Sequence, residues 1–127
     1  MIYGIGTDIV SISRIREALS RHGERFPQRI LSEAEITEFA GKKDPVRFLA
    51  KRFAAKEAFS KALGLGMTMP MSWRRMAVGH DARGKPVLVY HPELAAYVTS
   101  LGITAGHISI TDEHDHAVAF VVLEQTA

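Results

Sequence analysis

Apolar residues recur along this chain with two periods, and the switches between them mark out its elements. From Ile2 to Val10 the pattern alternates: Gly4, Gly6 and Asp8 fall on one side, Tyr3, Ile5, Thr7 and Ile9 on the other. This is a buried strand whose glycines leave room for a close approach. Ser11 or Ser13 can cap a helix running to His22, with Ile12, Ile15 and Leu19 as its apolar stripe and Gly23 as its stop. Phe26 to Ile30 reads as a connector. Ser32 and Glu35 then form a capping box, with Leu31 and Ile36 as a hydrophobic staple, and this second helix ends near Gly41. Asp44 and Pro45 open the longest helix and Gly64 closes it. A glycine-bearing loop follows to Ser72, then a strand from Trp73 to Val78, a turn at Asp81 to Gly84 and a return strand from Pro86 to Tyr90. Pro92 to Leu101 is a helix stopped by Gly102. His107 to Thr111 alternates, Asp112 to His116 turns, and Ala117 to Leu123 is an apolar return strand. The order β-α-α-α-ββ-α-ββ predicts one α+β domain over residues 1–127: a small, mainly antiparallel sheet packed on a long central helix, with shorter helices around it.

The long helix contains an awkward residue. On a wheel of about 100° per residue, Ala50, Phe53 and Ala54 surround Glu57, while Phe48, Ala55, Phe59 and Leu63 cover the far side. A helix apolar on two sides is buried on both, and a carboxylate there is costly unless a cation neutralises it. Lys61 stands at i+4, so a simple surface pair with Glu57 remains open. Asp8, on the glycine side of the first strand, is a second carboxylate in a buried-looking place. Two such groups suit Mg²⁺, which commonly uses one or two carboxylates with substrate phosphates and water. Arg52, Lys56 and Lys61 could then serve phosphates. Spacing alone does not bring Asp8 to Glu57.

Composition narrows the classes without choosing among them. The chain has 127 residues, 46% hydrophobic and 24% charged, with a net charge of +2. These are ordinary globular values, and they do not demand nucleic acid. There are no cysteines, which excludes a disulfide scaffold and thiolate chemistry. No apolar run approaches the roughly 20 residues of a membrane span, and Met1 leads directly into the first strand without a signal-like segment. A cytoplasmic protein is expected. His114-Asp115-His116 lies in a turn and reads as a solvated hairpin tip rather than a metal site.

Several stretches together resemble one family. Gly4-Ile5-Gly6-Thr7-Asp8-Ile9-Val10 with Arg14, and Phe48 to Ala58 with Lys61 and Gly64, are similar to the two signatures of holo-[acyl carrier protein] synthases, the small 4'-phosphopantetheinyl transferases. Gly84-Lys85-Pro86 and His107-Ile108-Ser109-Ile110 resemble later stretches of that family, so the similarity runs from Ile2 to Leu123. The resemblance implies Mg²⁺-dependent transfer of 4'-phosphopantetheine from coenzyme A to a serine of apo-acyl carrier protein, releasing 3',5'-ADP, in support of fatty acid biosynthesis. It implies metal ligation by Asp8 and Glu57, with Lys61 on the phosphates. It implies coenzyme A contacts at Arg52, Lys56, Lys61, Gly84, Lys85, Pro86 and His107, the last across a subunit boundary. It implies carrier-protein docking at Arg14, Arg21 and Phe26, and a homotrimer with active sites between subunits. Glu57 is also the preferred base for the serine proton. One departure stands out: Thr111-Asp112 occupies the place where many relatives carry Ser-His. Two other classes fit parts of the pattern. A basic module binding an acidic protein or a nucleotide would use the arginines of the first helix and the lysines of the long one. A small metal-dependent nucleotide hydrolase would use the carboxylates. Neither explains both signatures together.

Overall fold

The computed structural model describes residues 1–126. The elements in chain order are β1 (Ile2–Ser11), α1 (Ile12–His22), α2 (Arg25–Ile30), α3 (Glu33–Ala40), α4 (Pro45–Leu63), β2 (Met76–His80), β3 (Pro86–Tyr90), α5 (Pro92–Ser100), β4 (Ile103–Asp112) and β5 (His116–Gln125). The strands make two antiparallel sheets, β1-β5-β4 and the separate hairpin β2-β3. Helix α4 lies across the three-stranded sheet, with the shorter helices beside it. The α+β class and the central helix are as expected from the sequence.

The caps of α4 form where the sequence puts them. Asp44 Oδ1 accepts from the Arg47 N–H, Pro45 occupies the first turn, and Gly64 takes the left-handed conformation with φ 90°. The capping box of α3 is present in both directions between Ser32 and Glu35. Two expectations change. The connector at Phe26 to Ile30 is a helix, because Pro27 sits within its first turn, where its missing N–H costs little, and the Leu31 N–H closes onto the Pro27 carbonyl. The strand expected from Trp73 begins only at Met76, because Trp73 to Arg75 form a turn and the Trp73 carbonyl is taken by a lysine of α4.

Helix and sheet meet through small residues. Ala50, Ala54, Ala58 and Ala62 are spaced at one helical turn and all are buried, as are Ala117 and Ala119 of β5. Opposite them, a Cβ added at Gly4 would collide with the Ala62 carbonyl oxygen, and one at Gly6 with that of Ala58. The first strand thus touches the helix backbone to backbone. This close approach fixes where the side chain of Asp8 falls along α4. Around it, Phe59, Leu49, Leu63, Met71, Met76, Val121 and Leu123 fill the core.

Candidate active site

Asp8 and Glu57 are brought together by that close packing. Asp8 is on the inner face of β1, paired in register with Ala119, and follows Gly6 by two residues on the same face. Glu57 adjoins Ala58, whose carbonyl sits against Gly6. Lys61 lies one turn further on, and its Nζ donates to the Thr7 carbonyl at 2.9 Å and to Asp8 Oδ1 at 3.2 Å. The surface pair that the spacing offered, Glu57 with Lys61, gives way to this cross-element contact. Burial pushes the Glu57 carboxyl above its ordinary range, the Asp8 charge pushes it further, and Lys61 opposes both. One ammonium therefore serves two carboxylates at a half-buried site. Such a donor set, all oxygen and short of positive charge, fits a hard divalent cation. Among the described residues no third acidic or histidine side chain joins it.

Other residues singled out in the sequence go elsewhere. Lys56 is 0% exposed and its ammonium donates to Glu35 Oε1 at 2.6 Å, to the Ile30 carbonyl at 2.8 Å and to the Trp73 carbonyl at 2.8 Å. All three donors are used inside the protein, so the coenzyme A contact expected of Lys56 is corrected: it is an interior tie. Arg52 is also buried, with Nε 3.3 Å from Glu35 Oε2, and its guanidinium lies over the Phe48 ring. Its Nη2 reaches only towards Glu38, at 3.9 Å. Burial pushes both basic groups down from their usual values while Glu35 pulls them up.

Gly84, Lys85 and Pro86 lie at the exposed end of the β2-β3 hairpin. His107 pairs in register with Val122, and Val122 with Ile5, which puts it on the outer face of the three-stranded sheet, opposite Asp8. Its Nε2 lies 2.6 Å from Glu124 Oε1. Arg14 and Arg21 are exposed on α1, and Phe26 of α2 lies half-buried with its ring 6.4 Å from that of Phe53. A cavity of about 210 Å³ beside Phe26 is lined by His22, Arg25 and Arg29.

Two further residues have contacts that their sequence context does not announce. Glu35, visible only as a capping residue, also accepts from the Val78 N–H at 3.0 Å and faces Lys56 and Arg52. Asp112, the departure noted above, receives Arg47 Nη1 at 2.9 Å and lies 3.6 Å from Lys51 Nζ. Arg47 also donates to the Glu113 carbonyl at 2.8 Å. In this chain Asp112 therefore fastens the β4-β5 turn to the start of α4.

A model of the 4'-phosphopantetheinyl transferase superfamily matches residues 4–121, and the chain belongs to that family. Within it, the chain is 56% identical over 124 residues to a holo-[acyl-carrier-protein] synthase of Azoarcus sp. (strain BH72), covering 98% of both chains. The crystal structure of the holo-[acyl-carrier-protein] synthase of Neisseria meningitidis overlays with a TM-score of 0.96 at 49% identity, covering 98% of this chain and 100% of that one. The Bacillus anthracis synthase in complex with CoA (3',5'-ADP) overlays with a TM-score of 0.83 at 40% identity, covering 99% of both.

Proposed function

We propose that this chain transfers the 4'-phosphopantetheine group from coenzyme A to a serine of an apo-acyl carrier protein, releasing 3',5'-ADP, as a cytoplasmic enzyme serving fatty acid biosynthesis. The observation that carries this reading is the meeting of Asp8, Glu57 and Lys61 in a chain that overlays along its length on synthases, one of them holding the coenzyme A nucleotide. Among the described residues no helix is long and apolar enough to cross a membrane.

The reaction moves one phosphoryl centre. The carrier serine oxygen bonds to the phosphorus next to the pantetheine arm, the bond from that phosphorus to the bridging oxygen breaks, and 3',5'-ADP leaves with that oxygen. The attacking hydroxyl comes from the partner, so this chain needs no nucleophile of its own. What it must supply is position, charge neutralisation and a proton acceptor. Asp8 and Glu57 would hold Mg²⁺, which neutralises and orients the pyrophosphate when bound. Lys61, half-exposed beside Asp8, can turn its ammonium to the departing phosphate. Glu57 is the residue we assign to take the serine proton, directly or through a water molecule.

Coenzyme A reaches residues that one chain does not gather. Lys61 stands at the site, whereas Arg52 is buried beside Glu35. Gly84, Lys85 and Pro86 are on the separate hairpin, and His107 is on the far face of the sheet. A homotrimer with active sites between subunits reconciles these positions, with the hairpin and His107 supplied to a neighbouring copy. Arg14, Arg21 and Phe26 then form the docking surface for the carrier protein, whose acidity an arginine-bearing helix complements, speeding encounter more than tightening the complex.

Incubation with coenzyme A, Mg²⁺ and apo-acyl carrier protein should add the phosphopantetheine mass to the carrier, read by mass spectrometry. Glu57→Ala should lower kcat/KM by at least about 100-fold, because it removes a metal ligand, and leave the assembly intact. No mass gain with a competent carrier protein would sink the proposal. Phosphate release from nucleotides without a carrier would favour a hydrolase instead.

A further inference from the structure

The β2-β3 hairpin forms a sheet of its own, anchored to the core at its base by the buried Met76 and Val78. Its end, residues 81–85, is exposed, so burial does not hold it. Asp81 does. Its N–H donates to the Lys85 carbonyl at 2.9 Å, and its carbonyl accepts from the Gly84 N–H at 3.0 Å. Its Oδ1 accepts from the Arg83 N–H at 2.8 Å and from the Lys85 N–H at 2.9 Å. All of these bonds end on Asp81, and they close around Gly84, whose φ of 83° is cheap only for glycine. The two backbone donors, that of Lys85 foremost, hold the Asp81 carboxyl below the usual carboxylate range.

We propose that Asp81 is a positioning residue for coenzyme A: its carboxylate sets the 81–85 turn so that Gly84, Lys85 and Pro86 keep one conformation before the nucleotide arrives. The inference rests on the reading above, in which this turn contacts coenzyme A. A mobile turn would have to be ordered on binding, and that ordering would be taken from the binding free energy; a preset turn avoids the loss. What the turn needs at position 81 is a short side-chain acceptor rather than a charge. Asparagine supplies the same acceptor and alanine does not.

The test uses the full-length assembled protein and compares Asp81→Ala, Asp81→Asn and Lys85→Ala. KM for coenzyme A and kcat come from steady-state transfer, and Kd for coenzyme A from calorimetry. Asp81→Ala should raise KM and Kd about tenfold at unchanged kcat. Asp81→Asn should stay within about twofold of the parent, a rescue that a role for the charge would not give. Lys85→Ala should raise KM as well. If Lys85→Ala raises KM and Asp81→Ala does not, the turn touches coenzyme A but needs no positioning, and the inference alone fails. If neither variant moves KM, the reading of the turn as a coenzyme A contact fails, and the inference with it. An asparagine variant as weak as the alanine variant overturns it too. Hydrogen exchange at the Lys85 and Arg83 amides gives an independent readout. Protection in the unliganded parent that Asp81→Ala abolishes is expected, and no protection in the parent refutes a preset turn.

Discussion

Glu57 keeps its carboxylate where the fold would be more comfortable without one. Burial and the Asp8 charge disfavour its ionised form, and Lys61, which is half-exposed and bonded to Asp8, compensates only in part. A carboxyl whose folded pKa lies above its unfolded value contributes stability that is present in acid and is lost as pH rises through the folded value. With divalent cations chelated, Glu57→Gln should therefore raise the Tm in neutral buffer. The gain should vanish below the ordinary glutamate pKa of 4.5. Thermal melts across pH check this, and a lower Tm for the variant at neutral pH would refute it. A function that costs stability is common at active sites. Gly6 matches its neighbour more simply: the sequence leaves room there for a close approach, and the Ala58 carbonyl makes it.

At the scale of elements, α4 does two jobs with adjacent residues. Glu57 faces the sheet edge and Asp8, while Lys56, one position before it, ties together the end of α2, the cap of α3 and the turn at Trp73. Glu35 completes the tie by accepting from Val78 of β2. Breaking one side of a buried ion pair leaves an uncompensated charge. Lys56→Met should accordingly cost about 3 kcal/mol in denaturant unfolding. Lys56→Met combined with Glu35→Gln should cost clearly less than the two single losses added together, because the partners share one interaction. Strict additivity would show that they act independently. Asp112 ties the other end of the helix, through Arg47, to the β4-β5 turn. That turn in turn accepts the first N–H of α1 through the Asp115 carbonyl at 2.9 Å.

Over the whole molecule, the two faces of the three-stranded sheet are unlike each other. Apart from Asp8, the inner face is glycine, alanine and aliphatic residues packed on α4. The outer face exposes Ile5 at 59%, Ile9 at 64% and Phe120 at 45%, with His107 on the same side. Exposed apolar patches of this kind mark interaction sites, and this one is the surface that the proposed trimer would bury. Phe120→Asp should release monomers, measured by light scattering, and reduce turnover with them, because the sites need groups from two copies. A variant that stays trimeric and fully active would overturn that assembly.

The sequence by itself determined the α+β class and most of the elements, though not α2 or the start of β2, and it singled out the two carboxylates, because caps, glycines and periodicity are local properties of the chain. Asp44, Pro45 and Gly64 bound α4 whatever it packs against. The two signatures made Asp8 and Glu57 readable as partners by resemblance. Only the tertiary structure decided which charged side chains face in and which face out. Lys56 and Lys61 fall about 140° apart on a wheel of 100° per residue, and the wheel does not say which side turns inward: Lys56 is buried against Glu35 and Lys61 reaches Asp8. That choice depends on what α3, the Trp73 turn and β1 bring to each side of the helix, and no spacing along α4 encodes it. The same holds for Asp112 and Arg47, which lie 65 residues apart, and for His107, whose place on the outer face is set by the register of β4 on β5. Contacts between distant parts of the chain become visible once the chain has folded back on itself.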